Sequence, residues 1–138
     1  MYRILIEPYK QIALRHLNMA DALLGVRFHD GAAFHLYHAY ESIVCAAILK
    51  RQPYDMPPLT HPGKLDRFRQ IFARERQITA ESTKLSGKLH PMRNRVLYPE
   101  LRELFVIMPA SAVSEKQVRR YLSQVKEFVN QLISQLRL

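Results

Sequence analysis

Ser114-Glu115-Lys116-Gln117-Val118-Arg119-Arg120-Tyr121-Leu122 opens the segment whose pattern decides the fold. A serine followed three residues later by glutamine is a capping box, in which a hydroxyl satisfies free N–H groups at a helix start. Behind it Val118, Tyr121/Leu122, Val125, Phe128/Val129, Leu132/Ile133 and Leu136 recur every three or four residues. That spacing lays one apolar stripe along a helix, which then needs other apolar surfaces to cover it.

Four upstream segments carry the same period. The first runs from about Pro8 to Val26, with Ala13, Leu17, Ala20 and Leu24 on one stripe and Pro8 in its first turn. Asp30 opens the second, which continues to about Arg51. Ala33, Leu36/Tyr37, Tyr40, Ile43/Val44 and Ala47 make one of its faces apolar. Pro53, Pro57, Pro58 and Pro62 stiffen the loop that follows. Thr60 can cap a third helix starting near Pro62 and burying Leu65, Phe68 and Ile71/Phe72. The fourth covers about Ala80 to Leu97, with Leu85, Leu89, Met92 and Val96 inward. Gly87 and Pro91 predict a kink or break in it, and Pro99 ends it. Residues Glu100 to Ala112 read as a connector whose patch Leu104-Phe105-Val106-Ile107 tucks against the core without forming a sheet. The expectation is all-α: one domain, residues 1–138, built as a bundle of four long helices plus a short helix.

Composition narrows the function classes. Hydrophobic residues make up 48% and charged ones 24%, which belongs to a folded globular chain. Four glycines and no tryptophan argue against a turn-rich β-sandwich. Cys45, in an apolar run, reads as a small buried hydrophobe in a reducing compartment. No uninterrupted apolar stretch of spanning length is visible, so no membrane contact is expected. Met1 to Glu7 does not read as a signal peptide, which makes a cytoplasmic location the default. The net charge of +9 favours polyanionic partners. Between Lys64 and Arg102 ten Lys/Arg face four acids, so most of the excess lies there.

Arg93-Asn94-Arg95-Val96-Leu97-Tyr98-Pro99 falls at the end of the fourth helix, inside that basic stretch. Arginine is always charged and presents a rigid fork of donors that matches phosphate. On a helix His90, Arg93, Asn94 and Leu97 share one face. Positive charge at a helix C-terminus is also ordinary dipole chemistry, and spacing alone favours that reading, a solvated basic helix end. His35, His38 and Glu41 fall on one side of the second helix. No second His/Glu pair of bundle-metal spacing accompanies them, and neither metal nor cofactor is expected. His61, in the loop before the third helix, reads as a turn or cap residue. No Gly-rich phosphate loop, paired-cysteine motif or nucleophile elbow occurs.

The order of these pieces resembles the HEPN superfamily of α-helical domains. The small-and-aromatic second helix Gly31-Ala32-Ala33-Phe34-His35-Leu36-Tyr37-His38-Ala39-Tyr40-Glu41, the Thr60-His61 turn, the Phe-bearing third helix, the fourth helix ending in Arg93-Asn94, and Glu127-Phe128-Val129 near the end carry it. The resemblance implies a HEPN-like bundle that binds RNA or a nucleotide in a toxin–antitoxin or defence setting. It also implies a homodimer with two motifs facing across one cleft, and metal-independent ribonuclease activity. The family signature is an arginine, commonly a polar neighbour, then a histidine. Arg93 matches the arginine and Asn94 the neighbour; with four residues intervening, the histidine position holds Tyr98. On this reading Arg93 holds the phosphate, Asn94 orients it, Tyr98 donates a hydrogen bond and His90 is the reserve acid or base. Arg93, Arg95, Lys88 and Arg102 form the nucleic-acid-binding set. The alternative is a catalytically inactive module that binds a partner protein such as a nucleotidyltransferase.

Overall fold

The computed structural model describes residues 1–138. A 3₁₀ turn, Tyr2–Leu5, leads into α1 (Ile6–Gly25), followed by α2 (His29–Arg51), α3 (His61–Ile71) and α4 (Arg76–Leu97). A hairpin of β1 (Glu100–Arg102) and β2 (Phe105–Ile107) then precedes a single turn, α5 (Pro109–Ala112), and the last helix, α6 (Glu115–Leu136). The expected all-α bundle of four long helices and a short one is therefore what forms, with the hairpin as an addition.

Local chemistry explains the boundaries. The Ser114 hydroxyl accepts from the Gln117 N–H at 3.1 Å, while the Gln117 side chain turns to Tyr121, so only half of the capping box closes. The Thr60 hydroxyl likewise accepts from the Gly63 N–H at 3.2 Å. A Cβ on Gly63 would lie 2.8 Å from that same oxygen and 2.9 Å from Pro58, so the tight start of α3 requires glycine. Tyr98 is extended, as expected of a residue before proline, and α4 stops there.

The core gathers 31 buried side chains. α2 is its centre: beyond the single expected face, every residue from Ile43 to Leu49 is buried, because helices cover it on several sides. By length and composition α2 could cross a bilayer, with a mean hydropathy of 1.2, contrary to the expectation that no segment could. Its apolar surface is instead spent on the bundle interior, 72% of the stretch being buried. Tyr40 ties α2 to α4 by bonding both the Ser82 carbonyl (3.1 Å) and the Ser82 hydroxyl (2.8 Å) inside the core. Phe68 from α3 and Phe72 just past its end are fully buried, with rings 4.5 Å apart, whereas Leu65 and Ile71 are only partly covered.

Two expectations need correction. α4 is not broken before the arginines: it runs through Gly87 and Pro91 without interruption. Pro91 faces solvent and no group crowds Gly87, so the missing N–H costs one bond on an exposed surface. The patch Leu104–Ile107 does not tuck against the core either. Glu100 pairs with Ile107, Leu101 with Val106 and Arg102 with Phe105 across a turn in which Glu103 adopts a left-handed φ of 52°. Leu104 is 93% exposed and Phe105 74%, because the hairpin projects from the end of α4 with neither face covered.

Candidate phosphate and proton-transfer site

Three helices bring one polar cluster together. α2 supplies Tyr37 and Glu41, one turn apart; α3 supplies His61 in its first turn and Lys64; α4 supplies Ser86, His90 and Arg93 on successive turns of one face. Glu41 lies at the centre. Its Oε1 accepts from His61 Nδ1 at 2.8 Å and its Oε2 from Lys64 Nζ at 3.1 Å. Burial pushes this carboxyl's pKa up, but the hydrogen bonds from His61 and Lys64 outweigh that and bring it down to about 2. A charge is therefore fixed in a half-dry site, paired with Lys64 and hydrogen-bonded by His61, both on α3.

His61 spends both ring nitrogens in place: Nδ1 on Glu41 and Nε2 on the Ser86 hydroxyl, also at 2.8 Å. The acid–imidazole–hydroxyl order resembles that of a serine hydrolase. Ser86, however, is only 5% exposed, so no acyl substrate reaches it and the row is a structural clamp. Against the face of His61 lies His90, with ring centroids 4.3 Å apart and planes within 3°. The Arg93 guanidinium lies over the Tyr37 ring, 5.1 Å from its centroid. Burial, then the Glu41 charge, pushes the Tyr37 phenol well above its usual range, so it stays neutral.

Arg93 Nε and His90 Nδ1 are buried polar atoms without partners, one turn apart on the same helix. Arg93 forms no ion pair with any carboxylate; its one hydrogen bond is a 3.4 Å contact from Nη1 to Asn94 Oδ1. A half-buried guanidinium beside an imidazole with spare donors fits an anion with several acceptor oxygens. Burial first, then the neighbouring His61 and the Arg93 charge, lowers the His90 pKa, which favours the neutral base.

The other expected residues lie elsewhere. At 100° per residue, Arg95 is about 160° round the helix axis from Arg93, and Tyr98 lies past the end of the helix. With Asn94, Pro91, Pro99 and Glu100 they line a separate hollow of about 380 Å³. Lys88 reaches across to Gln124 Oε1 at 3.2 Å and over the Tyr121 ring, against α6. Arg102 pairs with Glu100 at 2.8 Å on the hairpin. Of the residues singled out from sequence, the structure brings His90 and Arg93 together, with Asn94 at the edge. Sequence reading missed Glu41, His61 and Ser86 as parts of this site, although the Thr60-His61 turn was visible. His35, His38 and Glu41 do not converge: His35 Nδ1 lies 2.8 Å from His16 Nδ1, and Glu41 is taken by α3. No group of three or more His, Cys, Asp or Glu side chains is arranged to hold a metal ion.

The family model for the HEPN domain matches residues 6–135. The chain belongs to the HEPN domain family. No curated protein and no solved structure matches it. Within this HEPN domain the matched region takes in every helix from α1 to α6 except the last residue of α6, and all the residues of the cluster.

Proposed function

We propose that this HEPN domain binds RNA through its phosphates and cleaves it without a metal ion, Arg93 holding the phosphate and His90 transferring the proton. The observation that carries the reading is the unpaired Arg93 guanidinium one turn from an imidazole whose pKa is lowered. Membership of the family supports an RNA-related role in the coarser sense. In the reaction His90 takes the proton of a ribose 2′-hydroxyl. The freed oxygen attacks the adjacent phosphorus, and the bond to the 5′-oxygen breaks as that oxygen collects a proton from solvent. Arg93 opposes the charge that grows on the phosphorus oxygens. A 2′,3′-cyclic phosphate and a 5′-hydroxyl are left. Pairing of two copies with their Arg93 residues across one cleft, and service in a toxin or defence system, belong to the same reading.

One observation favours the inactive module that binds a partner such as a nucleotidyltransferase: Tyr98, where the resemblance implies a histidine, lines a hollow outside the cluster. Purified protein incubated with end-labelled RNA in a chelator separates the two. Cleavage to a cyclic phosphate, lost in Arg93→Ala and His90→Ala, is expected. Arg93→Ala also weakens RNA retention about ten- to a hundredfold, the worth of one or two charge-assisted hydrogen bonds. Intact RNA with salt-dependent retention would favour the module, and no retention at low salt would overturn both.

A further inference from the structure

Nothing bonded to His90 fixes its ring. Its Nδ1 is buried without a partner, and its Nε2 is neither hydrogen-bonded nor buried. The surface that sets its plane is the face of His61, the closest aromatic contact in the molecule at 4.3 Å and 3°. Tyr37 flanks the pair at 5.5 Å from His61 and 6.0 Å from His90. His61, in contrast, cannot turn: Glu41 and Ser86 occupy both of its nitrogens, and its side chain is 10% exposed. An imidazole saturated on both sides cannot reach a substrate proton, but it can hold a neighbour.

We propose that His61, clamped between Glu41 and Ser86, is a positioning residue that holds the His90 ring in the plane from which its Nε2 meets a phosphate gripped by Arg93. This rests on the ribonuclease reading and extends it to residues on α2 and α3. A carboxylate held well below its ordinary range keeps the clamp charged at every working pH. The charged and titratable groups facing the pair are Glu41 and Tyr37 from α2, Lys64 from α3 and Arg93 from α4, with His38 packed against Tyr37. Of these, His61 and Arg93 disfavour protonation of His90 and Glu41 favours it. Removing His61 leaves His90 better hydrated and without a neighbour that disfavours its protonation. Its titration then moves upward.

The test compares wild type, His61→Ala and Ser86→Ala by two readouts. The first is an NMR pH titration of the His90 ring in the unliganded protein. The second is the pH profile of RNA cleavage in chelator, resolved into kcat and KM. His61→Ala is expected to raise the His90 midpoint by about half a unit or more, and Ser86→Ala to raise it by less, because a His61 ring free to turn shields His90 from water less well. Both should lower kcat about tenfold with KM nearly unchanged, because Arg93 and its grip on the phosphate are untouched. The acid limb of the rate profile should move up with the midpoint. A His90 titration and kcat identical in all three proteins would overturn the proposal while leaving the ribonuclease reading intact. A shifted titration in a protein that never cleaves RNA would keep the clamp and remove the ribonuclease. If His61→Ala does not fold, Ser86→Ala, which removes only the bond to Nε2, decides alone.

Discussion

Glu41→Gln tests the electrostatics of the cluster directly, because glutamine keeps the shape and removes the charge. The carboxyl's pKa stands at about 2 in the folded chain against an ordinary 4.5. At ~1.4 kcal/mol per unit, that difference is worth about 3 kcal/mol of folding free energy. Only 13% of the Glu41 side chain is exposed, with His61 at 10% and Lys64 at 17%, so solvent screening removes little and about 2–3 kcal/mol is expected. The sign follows from the direction: a depressed carboxylate stabilises fully above its unfolded value and loses that contribution as pH falls from 4.5 towards 2. Urea unfolding of both proteins from about pH 8 down to about pH 3 reads the gap. It should be constant at neutral pH and should narrow by more than half at the acid end. A gap that stays the same at the lowest pH, or a variant as stable as wild type at neutrality, would refute the reasoning.

Burial lowers the pKa values of His35, His38 and His90, and brings that of His16 to about 4. Here the folded chain binds fewer protons than the unfolded one, so thermal stability should fall as pH drops from 6.5 towards 4. Fully converted, the His16 shift is about 3 kcal/mol, and with the ring partly open to water about 1 kcal/mol should remain, which His16→Gln abolishes in a melting series against pH. Leu104→Ser with Phe105→Ser should leave the melting temperature almost unchanged, since both side chains face water, whereas Phe68→Ala should cost about 3–5 kcal/mol in denaturant unfolding. Ser114→Ala should cost about 1 kcal/mol in the same assay, because only the hydroxyl half of the capping box is formed.

The helices were legible because their signals are local. A stripe at three-and-four spacing and a hydroxyl cap are both written within a few residues of the element they define. α4 began four residues earlier than its pattern indicated because Glu75, at its start, caps nothing, leaving only the buried Ile78 as a sign. The hairpin was illegible for a related reason. Its two-residue turn is Glu103-Leu104, without the glycine or asparagine that marks such turns, and its strands are exposed on both faces, so no alternation was imposed on them.

The candidate site divides along the same line. His90 and Arg93 are three residues apart on one helix, so the sequence alone places them about 60° apart in azimuth and one turn apart in height. Glu41, His61 and Ser86 lie 20 and 25 residues from one another, and only the packing of α2, α3 and α4 joins them. The same geometry bears on which residue transfers the proton. Tyr98 stands past the last residue of α4, in the hollow that Arg95 and Glu100 line. It is 68% exposed, beyond the end of the helix. On the proposed reading a phosphate held by Arg93 lies one helical turn from the imidazole at 90, whereas the phenol at 98 lines a separate hollow. A tyrosine at 98 is, on that reading, compatible with proton transfer, because an imidazole stands one turn from the arginine on α4, stacked on a His61 ring held at both nitrogens.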